Sequence, residues 1–77
     1  MHDPVAAPVP LATIRKRRLL SQRDLARDAG VALSTIYLLE AGKTERVTFK
    51  VMRSVSSALG GVPPESIAEF RHVLDSR

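Results

Sequence analysis

The sequence predicts an all-α domain of five short helices around one small core. Apolar residues recur at helical spacing, most clearly between Phe49 and Leu59. Glycines that can end a helix follow the periodic stretches, at Gly30, Gly42 and Gly60. The chain has 77 residues, enough for one domain. A chain of this length buries only about 60% of the surface that its unfolded form exposes, so its free energy of unfolding is expected to be small. Dimerisation is one way to increase it.

The first ten residues are predicted to form a flexible arm outside the folded domain. Residues 1–10 hold three prolines and show no apolar periodicity. Proline restricts its own backbone and that of the preceding residue, which favours an extended chain. The domain is therefore expected to span residues 11–77, with a first helix over 11–19 whose apolar stripe begins at Leu11 and Ile14.

Two short helices joined by a tight turn are predicted over residues 21–40. Ser21 is a suitable N-cap, and Asp24, three residues later, completes an approximate capping box. Gly30 can end this helix because glycine tolerates a left-handed backbone. The next helix is predicted over 32–40. Such a pair of helices can place its second member in the major groove of DNA.

The remaining chain predicts two further helices. Thr48 can cap the fourth, which runs through Leu59 and has Phe49 on its apolar face. Pro64 fits the first turn of the fifth, where a missing amide costs little. The tail from Phe70 to Arg77 leaves two options open: Val73 and Leu74 can form a dimer contact, or the end is frayed and solvated.

The charge of the chain indicates a polyanionic partner. The formal net charge is +4 and the pI is about 10.4. Six basic residues lie between Thr13 and Arg27, where Asp24 is the only acidic one. Such an excess favours nucleic acid first and an acidic membrane surface second, with a solvated helix face as the alternative. Three aromatic residues are too few for a platform that stacks single-stranded bases.

The residue inventory speaks against an enzyme, a metal site and a membrane protein. The chain has no cysteine, which excludes disulfides and thiolate chemistry and fits a cytoplasmic setting. His2 and His72 have no companion ligands, and no serine has a base arranged beside it, so no metal, cofactor or catalytic residue is expected. No apolar run approaches the ~20 residues that span a bilayer, and no signal peptide is evident.

A set of residues at fixed spacing runs through most of the chain. Its members are Leu11, Ile14, Arg15, Leu20, Ser21, Gln22, Leu25, Ala26, Gly30, Val31, Thr35, Ile36, Glu40, Ala41, Gly42, Lys43, Ala58 and Leu59. This pattern, which covers about residues 11–67, resembles the Cro and phage-repressor type of helix-turn-helix domain, the XRE-like family. The resemblance implies a lambda-repressor-like fold and a transcriptional repressor that binds double-stranded DNA as a homodimer.

The resemblance also implies roles for individual residues. Exposed residues early in the third helix are expected to contact base edges; these are Leu33, Ser34, Tyr37 and Leu38. Residues that match phosphate-contacting positions are Gln22, Thr35, Lys43, Thr44 and Arg46, and the local charge adds Lys16, Arg17 and Arg18. Arg15 and Glu40 match a pair that forms an internal salt bridge between the first and third helices.

The chain departs from the family pattern at several positions. Leu33 and Leu38 are apolar where the family often has polar or basic side chains. Ala32 stands where a serine or threonine would cap the helix, a loss of about 1 kcal/mol. Leu19 stands where glycine is frequent, and Val47 where proline is. A leucine on the DNA-facing side can touch a thymine methyl, and DNA shape would then supply part of the discrimination.

Two other interpretations stay open beside the DNA-binding repressor. Leu33, Tyr37 and Leu38 can instead form an apolar patch that binds another protein. The chain would then be an antitoxin that holds a toxin or another regulator, through this patch or its C-terminal helix, while it regulates its own operon. The last interpretation is a protein-interaction module with no role on DNA.

Overall fold

Five α-helices and one 3₁₀ turn form the fold of residues 7–43 and 47–75, the part of the chain that the computed structural model describes. The helices are α1 (Leu11–Arg17), α2 (Gln22–Ala29), α3 (Leu33–Glu40), α4 (Phe49–Ala58) and α5 (Ala68–Asp75). The 3₁₀ turn, Pro64–Ser66, connects α4 to α5. This order confirms the predicted all-α class with five helices.

The two hydrogen bonds of a capping box start α2, as predicted. The Asp24 amide donates to Ser21 Oγ at 2.9 Å, and the Ser21 amide donates to Asp24 Oδ2 at 3.1 Å. The bond from the Ser21 amide is the main reason that the pKa of Asp24 is lowered from its ordinary value of 3.8, and the Ser21 hydroxyl adds to the effect. The carboxylate therefore stabilises the fold above that pH, and its contribution is lost as the pH falls through the lowered pKa.

The turn between α2 and α3 depends on Gly30. Its φ of 71° is left-handed, as the sequence predicted, and a β-carbon makes this conformation unfavourable. The Val31 amide then donates to the Ala26 carbonyl at 3.0 Å, which closes the end of α2 and redirects the chain into α3. With the turn closed in this way, α2 packs against both α3 and α4.

The core takes apolar side chains from every helix. Its buried members are Leu11, Ile14, Leu25, Ala26, Ile36, Leu39, Val47, Met52, Val55, Leu59, Ile67, Phe70 and Val73. Phe49 was predicted on the buried face of α4, but it is 50% exposed. It lines an open surface cleft with Met52, Pro64 and Leu74, so about half of its side chain stays in contact with solvent.

The C-terminal tail from Phe70 lies within α5, which continues to Asp75 and contributes side chains to this core. Val73, one of the two residues considered for a dimer contact, is buried within the protein. Leu74 beside it is half-buried. A frayed end from Phe70 onward is therefore wrong for the described residues, and Val73 is not available to a partner.

The folded domain begins before the boundary predicted at Leu11. Val9 donates its amide to the Ser66 carbonyl at 3.0 Å and accepts from the Ala68 amide at 2.9 Å, which forms an isolated parallel bridge with Ile67. The Leu11 amide, at the start of α1, donates to Glu69 Oε1 at 2.8 Å. The predicted arm is thus attached to the α5 region at its last residues, and residues 1–6 lie outside the described part.

Two helices have bounds that differ from the prediction. The predicted first helix ran to Leu19, but α1 ends at Arg17 because Leu19 has a left-handed φ of 59°. The fifth helix was predicted to start at Pro64, but the bridge with Val9 holds Ile67 extended, with φ −99° and ψ 120°. As a result α5 starts at Ala68, after the 3₁₀ turn.

Replacing Leu19 with glycine is expected to raise the free energy of unfolding by about 1 kcal/mol. A left-handed backbone costs a residue with a β-carbon roughly 1–2 kcal/mol, and the greater freedom of glycine in the unfolded chain offsets part of that gain. The Leu19 side chain is 91% exposed, so its removal sacrifices little packing. Urea unfolding followed by circular dichroism measures the change.

Leu19→Ala is the matched control, because alanine removes the leucine side chain but keeps the β-carbon and therefore the strain. It is expected to change the free energy of unfolding by less than about 0.5 kcal/mol. Equal stabilities of the glycine and alanine variants would show that the backbone at Leu19 is not strained.

Candidate nucleic-acid interface

A buried ion pair connects α1 to the end of α3. Arg15 Nε lies 2.6 Å from Glu40 Oε2, and Arg15 Nη2 donates to Glu40 Oε1 at 3.2 Å. The two side chains are only 10% and 9% exposed. Arg15 Nη1 also donates to the Leu20 carbonyl at 2.8 Å, so the guanidinium fixes the α1–α2 turn as well. This arrangement neutralises Glu40, the only acidic residue of α3.

Gln22, at the start of α2, belongs to the same network. Its Nε2 donates to Glu40 Oε1 at 2.9 Å. The sequence predicts a phosphate contact for Gln22; in the structure one amide N–H bonds to Glu40, and an amide has a second N–H that can serve a phosphate. The sequence does not predict the contact with Glu40, since residues that are 18 positions apart on two helices carry no periodic signal.

The four predicted base-contacting residues share the outer side of α3. Leu33, Tyr37 and Leu38 are 39%, 62% and 45% exposed, and Ser34 is exposed beside them. The opposite side of the helix carries Ile36 and Leu39, which are buried in the core. We call the outer surface, made of Leu33, Ser34, Tyr37 and Leu38, the recognition face.

A cleft of about 240 Å³ lies beside the recognition face. Leu38, Thr35 and Lys43 line it on the side of α3, and Val47 and Val51 line it on the side of α4. Thr35 is half-buried there, and Lys43 is exposed. The cleft therefore joins apolar walls to a cation at the point where α3 ends.

The N-terminus of α3 carries no cap from a described side chain, since Ala32 occupies the cap position with an extended backbone. The start of α2, in contrast, is capped by Ser21. The first amides of a helix carry partial positive charge and are suited to an anion such as a phosphate. This end of α3 also bears Leu33 and Ser34 of the recognition face.

The predicted phosphate contacts fall into different environments. Lys16, Arg17 and Lys43 are exposed, and no described carboxylate pairs with them. Arg18 is also exposed, but its guanidinium lies against the end of α4: a β-carbon on Gly60 would come within 2.8 Å of Arg18 Nη1. Two members of the predicted set, Thr44 and Arg46, lie outside the described residues.

Across residues 7–43 and 47–75, no group of three or more histidine, cysteine, aspartate or glutamate side chains is placed to hold a metal ion. The helices in those ranges are all too short or too polar to cross a bilayer.

Comparison with known proteins adds one match. A family model described as helix-turn-helix matches residues 11–67, from α1 to the end of the 3₁₀ turn and the residue after it. No curated protein and no solved structure matches the chain significantly.

Proposed function

We propose, because the chain belongs to the helix-turn-helix family of the Cro and phage-repressor type, that it represses transcription by binding a specific operator as a homodimer. Family membership makes it a DNA-binding transcriptional regulator in general terms. The repression, the sequence specificity and the dimer are the parts proposed here. They rest above all on the recognition face, an exposed surface on a helix whose other side is held in the core.

Rigidity is the first support for this role. Ile36 and Leu39 anchor α3 in the core, and the ion pair of Arg15 with Glu40 anchors the C-terminal end of the helix. A helix that is fixed at both points can present the same side chains to each operator without first paying an ordering entropy. The recognition face is therefore pre-formed for docking into a major groove of about 12 Å width.

Electrostatics is the second support. The charge of Glu40 is neutralised within the protein, so α3 brings no free carboxylate to the DNA. Exposed cations lie on α1 and after α3, and the whole chain carries a net charge of +4. The proposed phosphate contacts are Arg17, Arg18, Gln22, Thr35, Lys43, Thr44 and Arg46. Such contacts set register and affinity and leave the choice of sequence to base edges.

The dimer follows from the geometry of operators. One chain offers a single α3, which covers one half-site, whereas a two-fold dimer places two copies in successive major grooves roughly 34 Å apart. Occupying promoter DNA in this way would exclude polymerase. Five base pairs inserted between the two half-sites would rotate the second half-site to the opposite side of the duplex.

Lys43→Gln is expected to weaken binding to all sequences about equally and to lower the salt slope by about one unit. The reason is that a phosphate contact releases counterions and carries no sequence information. The measurement is the dissociation constant by fluorescence anisotropy between 50 and 200 mM salt, on a duplex selected from a random pool. With at least six phosphate contacts, the unmodified protein is expected to lose about a thousandfold in affinity over that range.

Arg71→Gln is the matched control, since Arg71 lies on α5 and pairs with Asp75 at 3.4 Å. It should leave the slope unchanged. A slope for Lys43→Gln equal to that of the unmodified protein would contradict the phosphate contact. Two chains per duplex, and a large loss of affinity after the five-base-pair insertion, are expected of the dimer; one chain per duplex would contradict it.

A further inference from the structure

The recognition face differs from a hydrogen-bonding surface in its chemistry. Two of its four side chains are leucines, Leu33 and Leu38, and both are substantially exposed. The other two, Ser34 and Tyr37, carry one hydroxyl each. Along the whole of α3, Leu33–Glu40, there is no amide or guanidinium side chain, and the single carboxylate is held by Arg15.

This composition leaves α3 without the side chains that recognise guanine or adenine through paired hydrogen bonds. Guanine is recognised by the paired donors of arginine or by lysine, and adenine by the donor and acceptor of asparagine or glutamine. The glutamine nearest in the network, Gln22, lies at the start of α2 outside the recognition face, and one of its two amide N–H donors is bonded to Glu40 at 2.9 Å. The remaining strong discriminator in the major groove is the 5-methyl group of thymine, which is apolar.

The spacing of the two leucines suits this ligand. Leu33 and Leu38 are five positions apart, which corresponds to a rise of about 7.5 Å along the helix and a rotation of about 140° around it, so they lie at the two edges of the recognition face. Successive bases of one strand are about 3.4 Å apart, so the two side chains can reach methyl groups about two or three steps from each other. Leu38 also forms one wall of the cleft shared with Thr35, Val47 and Val51, where a methyl group would leave water for apolar surroundings.

We propose that the recognition face selects its half-site through thymine 5-methyl groups, with Leu33 and Leu38 as the contacting side chains. The hydroxyls of Ser34 and Tyr37 then bond to base edges or to the sugar-phosphate backbone. The inference rests on the proposed DNA-binding function, and it adds the chemical group that the protein distinguishes.

The test replaces thymines by deoxyuridine, which deletes the methyl and leaves every hydrogen-bonding atom in place. Each thymine of the selected duplex is exchanged in turn, at constant salt, and the dissociation constant is measured by fluorescence anisotropy. We expect one or two positions in each half-site to lose about fourfold in affinity, since a buried methyl contributes about 0.8 kcal/mol and 1.4 kcal/mol is a factor of ten. The other positions should be unaffected.

Leu38→Ala identifies the side chain that contacts the methyl. At the DNA position that Leu38 contacts, this variant should have the same dissociation constant for thymine and for deoxyuridine. At the other sensitive position it should keep the fourfold preference for thymine. Leu19→Ala is the matched control, because it truncates another exposed leucine that lies outside the recognition face, and it should keep both preferences. Thermal unfolding shows whether each variant is folded, and the exposure of Leu38 predicts a small change.

The outcomes separate the inference from the function on which it rests. Sequence-specific binding that is indifferent to deoxyuridine at every position would overturn thymine-methyl recognition and leave the repressor proposal standing. If the affinity depended on guanines and on no thymine of the selected site, thymine-methyl recognition would also be overturned, and a base contact by Lys43 would be indicated. Failure to bind any duplex would overturn both proposals.

Discussion

Arg15→Ala is expected to lower the free energy of unfolding by about 3–5 kcal/mol, because it strands the buried Glu40 carboxylate without its partner. The variant also removes the donor to the Leu20 carbonyl, at 2.8 Å, and leaves that oxygen unpaired in the α1–α2 turn. A domain of 77 residues has a total stability of roughly 4–12 kcal/mol. The substitution therefore removes a large share of the stability, which urea unfolding measures.

A double-mutant cycle distinguishes a stranded charge from a general packing defect. Arg15→Met with Glu40→Leu removes both charges and keeps most of the volume, so the double variant should be more stable than either single variant. Losses that simply add would contradict a coupled pair. Gln22→Ala is a useful reference, since it deletes the 2.9 Å bond to Glu40 and should cost only about 1–2 kcal/mol.

The same pair has a consequence for DNA binding. Since Arg15 and Glu40 hold α3 from within, their loss should lower affinity in proportion to the unfolded fraction. The bases preferred by the molecules that stay folded should not change. Site selection with Arg15→Ala, performed at low temperature where part of the protein is folded, should thus return the same operator as the unmodified protein. A different operator would mean that the pair also sets the position of the recognition face.

Phe70→Ala is expected to cost about 3–5 kcal/mol, the range for truncation of a buried phenylalanine. The Phe70 side chain is fully buried on α5, among the core residues. The family match ends at residue 67, so this substitution asks whether the chain beyond the match is needed for folding. We expect a large drop in the midpoint of thermal unfolding and a smaller loss of DNA affinity at temperatures where the variant is still folded.

Leu74→Ala is the control on the same helix. Leu74 is half-buried at the rim of the cleft that also contains Phe49, and its truncation should cost about 1 kcal/mol or less. Similar losses for the Phe70 and Leu74 variants would show that α5 does not close the core. A much larger loss for Phe70→Ala would establish α5 as an integral part of the domain.

The outer side of α3 could be predicted before the structure, since exposure along a helix follows from its 3.6-residue period. Leu33, Ser34, Tyr37 and Leu38 indeed lie together, opposite Ile36 and Leu39. The helical period does not show which residues of an apolar helix face are covered by the neighbouring elements. Phe49 shows this limit: its spacing is that of a core residue, yet it lines an open cleft.

The sequence by itself determined the local features: the five-helix class, the capping box of Ser21 and Asp24, and the left-handed turn at Gly30. Each of these depends on residues within a few positions of one another, and over such short distances the backbone geometry decides which residues come into contact. The tertiary structure alone decided that Gln22 holds Glu40, 18 positions away, and that Glu69 caps α1 across 58 positions. Such contacts arise from how the helices pack, and packing depends on the shapes of all core side chains together.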